Sequence, residues 1–171
     1  MTRQFLQSAL DSRNGARELL QIVFASELLS PSRCLWIVSP WLRDVPVLDN
    51  STGSFLHLCP DFPRTDVRLS RVLRELVDRG STLVIATRPD VGNRQVIEGL
   101  KGLDRPDAVV FRERAELHAK GIVGDRYSLI GSMNFTYNGL ERLTEMLVFE
   151  TDEASVGHLR IAFRREYGGL A

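Results

Sequence analysis

The chain has 171 residues, 43% hydrophobic and 26% charged, with 22 basic and 22 acidic side chains and no net charge at pH 7. This is an ordinary globular composition, long enough to bury a core without staples, and its balance excludes a global field that would draw the protein onto nucleic acid or an anionic membrane. No run approaches the ~20 apolar residues of a membrane span, no signal peptide is evident at the start, and Cys34 and Cys59 offer neither metal spacing nor a disulfide framework, so a cytoplasmic protein is expected.

Residues 3 to 29 read as helix, interrupted near Arg13-Asn14-Gly15, with an apolar stripe of Leu19, Leu20, Val23, Phe24 and Leu28. Ser30-Pro31-Ser32 ends it, and Leu35 to Ser39 follows as a nearly all-apolar strand of the kind covered on both faces. From Arg43 to Arg64 the prolines and the Asp49-to-Gly53 run signal a loop, unusually long for a compact domain unless a short element lies near Phe55-Leu56. Asp66 is the expected cap of a helix from Val67 to Arg79, closed by Gly80. Thr82 to Thr87 is a second buried strand, Asn93 to Leu103 a weaker helix, and Ala108 to Arg112 a third strand. After the hairpin described below, a short helix ends near Arg142, Thr144 to Glu150 returns as a strand, and Asp152 caps a last helix to Tyr167. Strands alternating with helices predict an α/β fold, a mixed central sheet covered by helices on both faces. One domain over 1–171 is expected, with a helical segment at 1–30, a core at 35–150 and a C-terminal helix at 152–167.

The chemistry concentrates between Glu116 and Asn134. Leu117 to Val123 predicts a strand, Gly124-Asp125 a tight turn and Arg126 to Ile130 the returning strand. Alternation sends His118 and Lys120 from one face, with Cα atoms ~6.6 Å apart. Ser132 and Asn134 repeat that spacing beyond the second strand. An imidazole, an ammonium, a hydroxyl and a carboxamide thus converge, a set suited to a phosphate. Lys101 and Lys120 are the two lysines among the 22 basic residues, so Lys120 stands out as a compact point cation in an arginine-rich chain. His57 and His158 read as surface histidines. Arg88, Arg112, Arg114 and Arg126 flank the site in sequence, and are equally well read as lining a polyanion groove or as solvated surface.

His118-x-Lys120-x4-Asp125 followed by Gly131-Ser132-x-Asn134 resembles the signature of the phospholipase D superfamily. Six residues at about 5% usage each match by chance roughly once in ten to the eighth per starting position. The resemblance spans about Leu35 to Glu150 and is strongest for the small bacterial nuclease branch, with one motif per chain. It implies a phospholipase D-like fold and a phosphodiesterase that needs no metal or other cofactor. His118 would be the nucleophile forming a phosphohistidine, Glu145 its supporting carboxylate, and Lys120, Ser132 and Asn134 the groups on the phosphate oxygens, with Gly131 beside them. Asp125 reads as a structural turn residue. The general acid comes from a second motif in this family, and short members obtain it by homodimerising, so a symmetric homodimer acting on DNA is implied. Ser39 to Leu42, Leu48 to Asn50 and Gly131 to Gly139 also resemble the phospholipase-D-like protein of bacterial clusters that place 7-deazaguanine derivatives in DNA, which would make proteins of a modification or restriction system its partners. The reading from another class is a non-catalytic nucleic-acid-binding or complex-forming subunit that keeps the phosphate pocket.

Overall fold

The computed structural model describes residues 1–7 and 15–170. Nine strands and five α-helices follow one another among them: β1 (Thr2–Gln7), α1 (Gly15–Leu29), β2 (Cys34–Val38), β3 (Pro46–Asp49), β4 (Asp66–Arg68), α2 (Leu69–Asp78), β5 (Thr82–Thr87), α3 (Arg94–Gly99), β6 (Val109–Glu113), β7 (Gly121–Val123), β8 (Ser128–Gly131), α4 (Tyr137–Glu141), β9 (Glu145–Glu150) and α5 (Glu153–Tyr167). Seven strands form one sheet in the order β1-β9-β8-β7-β2-β5-β6. The β2-β5-β6 side is parallel and the β2-β7-β8-β9-β1 side antiparallel, so the sheet is mixed.

The all-apolar reading of the central strands holds because both faces are covered. Leu35 and Ile37 of β2 join the large core under α1, α2 and α3, whereas Cys34, Trp36 and Val38 join a smaller cluster with Tyr167 and Phe163 of α5. The fold is therefore α/β with helices on both faces of a mixed sheet. Cys34 and Cys59 are buried free thiols, pushed above their ordinary pKa by burial.

Three expectations are corrected. Residues 3–7 are not helical: Thr2 to Gln7 lie antiparallel to Glu150 through Glu145, occupying the backbone groups that β9 would otherwise leave open at the sheet edge. The interruption expected at Arg13-Asn14 lies outside the described residues. The region 43–64 is not all loop, since β3 pairs with β4 as a small hairpin burying Val47, Leu48 and Val67. Asp66 consequently belongs to β4 and is not a helix cap. Asp44 caps α2 instead, its carboxylate accepting from the Ser70 N–H at 2.8 Å and the Ser70 hydroxyl at 2.9 Å. Among the described residues, no helix is long and apolar enough to cross a membrane.

Candidate active site

One end of four neighbouring interior strands gathers the chemistry: the chain leaving β2, the approach to β7, the end of β8 and the start of β9. The predicted strand at 117–123 is shorter than expected, since β7 begins at Gly121 and the segment before it is held by other contacts. Leu117 is buried in the smaller core, and its N–H donates to the Arg114 carbonyl at 3.1 Å. His118 stands exposed at the rim, while Lys120 is buried below it, its Nζ donating to the His118 carbonyl at 2.6 Å. The return strand starts at Ser128, with Gly124 to Tyr127 as the turn: Gly124 N–H donates to the Tyr127 carbonyl at 3.0 Å.

Gly131 ends β8 where the backbone of β9 comes closest. A Cβ there would run into the Met146 carbonyl oxygen, so this close approach requires glycine. It lets Ser132 N–H donate to the Met146 carbonyl at 3.0 Å and Met146 N–H donate to the Ser132 hydroxyl at 3.0 Å. The Ser132 hydroxyl in turn donates to the Glu145 carboxylate. Asn134 sits in the following loop with its Oδ1 3.5 Å from the Ser39 hydroxyl.

His118, Lys120, Ser132 and Asn134 together line a cleft of about 520 Å³, with Trp41 at one side and Ile130 and Phe163 among its apolar walls. Glu145 lies behind Ser132, close enough to Lys120 for its charge to act there. Burial pushes the Lys120 ammonium below its ordinary pKa; Glu145 opposes that shift and Arg88 adds to it. Glu145 accepts from the Ser132 hydroxyl, and no hydrogen bond joins it to the His118 ring among the described residues. The register is the reason: Met146 faces Ser132 across the β8–β9 ladder and Glu145 opens β9 one residue before it, next to the Ser132 hydroxyl, whereas His118 lies outside the ladder.

Asp125 is not in the cleft. Its carboxylate accepts from the Arg33 N–H at 2.9 Å and faces Arg160 at 2.8 Å, and its own N–H donates to the Ser32 hydroxyl at 2.9 Å. Of the flanking arginines, Arg88 lies over the Trp41 ring beside the cleft and Arg114 lines the next depression, which it shares with His118. Arg112 donates to the Tyr167 carbonyl and Arg126 to that of Ser30, so both are occupied elsewhere. His57 and His158 are exposed, away from the cleft. Among the described residues, no group of three or more His, Cys, Asp and Glu side chains could hold a metal ion.

Sequence reasoning missed Ser39 as a site residue. Fully buried at the end of β2, its hydroxyl donates to the Trp41 carbonyl at 2.8 Å and accepts from Phe135 N–H at 3.3 Å, pinning the Trp41 turn against the Asn134 loop. A serine before proline carries no local signal for that role, which exists only once two segments 95 residues apart meet.

Residues 45–167 match the family described as cardiolipin synthase, PLD-like domain. Among solved structures, the fold is similar to NucT from Helicobacter pylori (TM-score 0.62, 14% identity, covering 96% of this chain and 95% of that one). It is similar to the phospholipase D family member Nuc from Salmonella typhimurium (TM-score 0.61, 15% identity, 96% and 92%). It also resembles a quarter of the polyphosphate kinase from Porphyromonas gingivalis (TM-score 0.62, 10% identity, 96% and 25%). Comparison with curated proteins finds no match. With a family match over more than two-thirds of its length and five of the six motif residues (His118, Lys120, Gly131, Ser132 and Asn134) lining one cleft, the chain belongs to the phospholipase D-like family.

Proposed function

We propose that the protein is a metal-independent phosphodiesterase that cleaves DNA from a homodimeric active site. The observation that carries this reading is the cleft in which His118, Lys120, Ser132 and Asn134 meet. A ring nitrogen of His118 attacks phosphorus, the bond to the leaving oxygen breaks, and that oxygen takes a proton from the His118 of a second copy. Water then attacks the phosphohistidine, gives its proton to the second imidazole and releases a phosphomonoester. Lys120 and Asn134 meet the charge that develops on the non-bridging oxygens, and Glu145 holds Ser132 and the Lys120 cation in place. Likeness of the Ser39-to-Leu42 and Gly131-to-Gly139 segments to a protein of DNA-modification clusters supports a role beside modification or restriction proteins.

One observation favours the second reading, a phosphate-binding subunit without turnover: Glu145 bonds Ser132 and leaves the His118 ring without its carboxylate. A nuclease assay on plasmid and single-stranded DNA in EDTA, run beside His118→Ala, separates the two. An enzyme cleaves in EDTA, yields acid-labile phosphohistidine, and loses both in the variant while still binding DNA. A binding subunit has no cleavage to lose, and Mg²⁺-dependent cleavage that survives the substitution would sink the proposed chemistry.

A further inference from the structure

A second depression of about 400 Å³ adjoins the cleft, sharing Trp41 and Asn134 with it and continuing past Arg43, Tyr137 and Leu143. Two large aromatic rings are left in water here, Trp41 at 38% and Tyr137 at 57% exposure, in a chain that fully buries Trp36, Phe24 and Phe135. Each ring carries a guanidinium: Arg88 lies 5.4 Å from the Trp41 ring and Arg142 5.3 Å from that of Tyr137. Arg43 is already paired with Asp90 at 3.0 Å. Arg88 Nε donates to the Leu117 carbonyl at 2.8 Å, and neither Arg88 nor Arg142 has a carboxylate partner among the described residues, so each keeps its positive charge beside its ring.

The platform is held rigidly. Leu42 N–H donates to Asn93 Oδ1 at 2.7 Å, Arg43 N–H donates to the Phe135 carbonyl at 2.8 Å, and Leu42 and Phe135 form a β-bridge. Trp41 is thereby fixed against the loop that carries Asn134. On the other side, Thr136 caps α4, its hydroxyl accepting from Gly139 N–H at 3.1 Å, directly before Tyr137.

Exposed rings, each beside a guanidinium with no carboxylate partner among the described residues and leading away from a phosphate pocket, match a polyanion whose repeating units carry flat π-faces. We propose that Trp41 and Tyr137 form a base-stacking subsite, so that the chain takes single-stranded DNA with one phosphate at His118 and neighbouring bases on these rings. Base faces are free to stack on side chains in a single strand and are covered by neighbouring pairs in a duplex. The proposal rests on the phosphodiesterase reading and specifies its substrate.

Binding is measured with the His118→Ala protein, so that nothing is cleaved, using a labelled oligothymidylate, an abasic oligonucleotide of equal length and a duplex of that length. Trp36 is buried with its Nε1 donating to the Gly168 carbonyl, so quenching of tryptophan emission by added strands reports Trp41. The expected result is quenching by oligothymidylate alone, and binding of it roughly 5- to 150-fold tighter than of the abasic strand or the duplex. Trp41→Ala and Tyr137→Ala each shrink that ratio towards one, while Trp41→Phe keeps most of it. Equal affinity for intact and abasic strands would overturn the stacking subsite and leave the diesterase reading standing. A stacking contrast in a protein whose wild type cleaves nothing would sink the enzyme reading alone. Conversion of dimer to monomer by Trp41→Ala would overturn the subsite by showing that a second copy, not a base, covers the groove.

Discussion

Lys120 shows how the site sets its own working range. Its ammonium is buried, which lowers its pKa from the ordinary 10.5, and the Glu145 charge pulls it back up. In the proposed reaction the phosphate is met by this cation, so activity is expected to fall on the alkaline side as Lys120 deprotonates. Replacing Glu145 with Gln removes the charge that favours the protonated form, which lowers the pKa further. The alkaline limb of kcat/KM against pH is therefore expected to move to lower pH in Glu145→Gln. Ser132→Ala serves as the contrast, because it removes the hydroxyl bonded to Glu145 but leaves the carboxylate charge beside Lys120. Its rate should fall without that downward movement of the limb. A limb that stays in place in Glu145→Gln would assign the alkaline loss to another group.

Among the elements, the β7–β8 turn ties the two helical layers together. Glu27, buried on α1, accepts from the Ser32 N–H at 2.8 Å and the Ser32 hydroxyl at 2.7 Å; that hydroxyl accepts from Asp125, and Asp125 faces Arg160 of α5. Asp125 and Arg160 are mostly buried, at 17% and 21% side-chain exposure, so losing one charge strands the other. Asp125→Asn is expected to cost about 2 kcal/mol, read as a lower urea midpoint at unchanged slope, with kcat retained well below the melting temperature. The sequence pattern revealed the turn and its structural aspartate but not Arg33, Ser32 or Arg160, which lie far away along the chain. The same limit explains β1 and the Asp44 cap. Thr2 to Gln7 has no β-branched residue after its first position and sets Phe5 beside Leu6, so local preference favours neither state, and the open edge of β9 decides. Strands β2 and β5 were legible because burial on both faces leaves continuous apolar runs. His118, Lys120, Ser132 and Asn134 were legible because their spacing survives folding into one cleft, whereas Glu145's bond to Ser132 depends on how β8 and β9 meet.

At the level of the whole molecule, one chain supplies half of the proposed reaction. The cleft holds one histidine, at its exposed rim, and the mechanism needs a second imidazole to protonate the leaving oxygen. Beside Ser132, Met146 of β9 is 55% exposed and its partner on the edge strand β1, Leu6, is 67% exposed. Two exposed aliphatic side chains next to an incomplete site suit a self-complementary contact that brings two clefts together about a two-fold axis. The expected solution mass is about twice the 19.3 kDa of the chain. Met146→Glu places a charge in that contact, and should yield a folded monomer whose cleavage falls with the dimer fraction and recovers as protein concentration rises. Mixing supplies an independent measurement. If each site uses both copies of His118, heterodimers of wild type and His118→Ala are inactive, so equal co-expression leaves about a quarter of the activity, not half. A monomer with full activity, or activity that falls in simple proportion to the mutant fraction, would require the acid to come from within one chain, and the exposed His57 and His158 both lie outside the cleft.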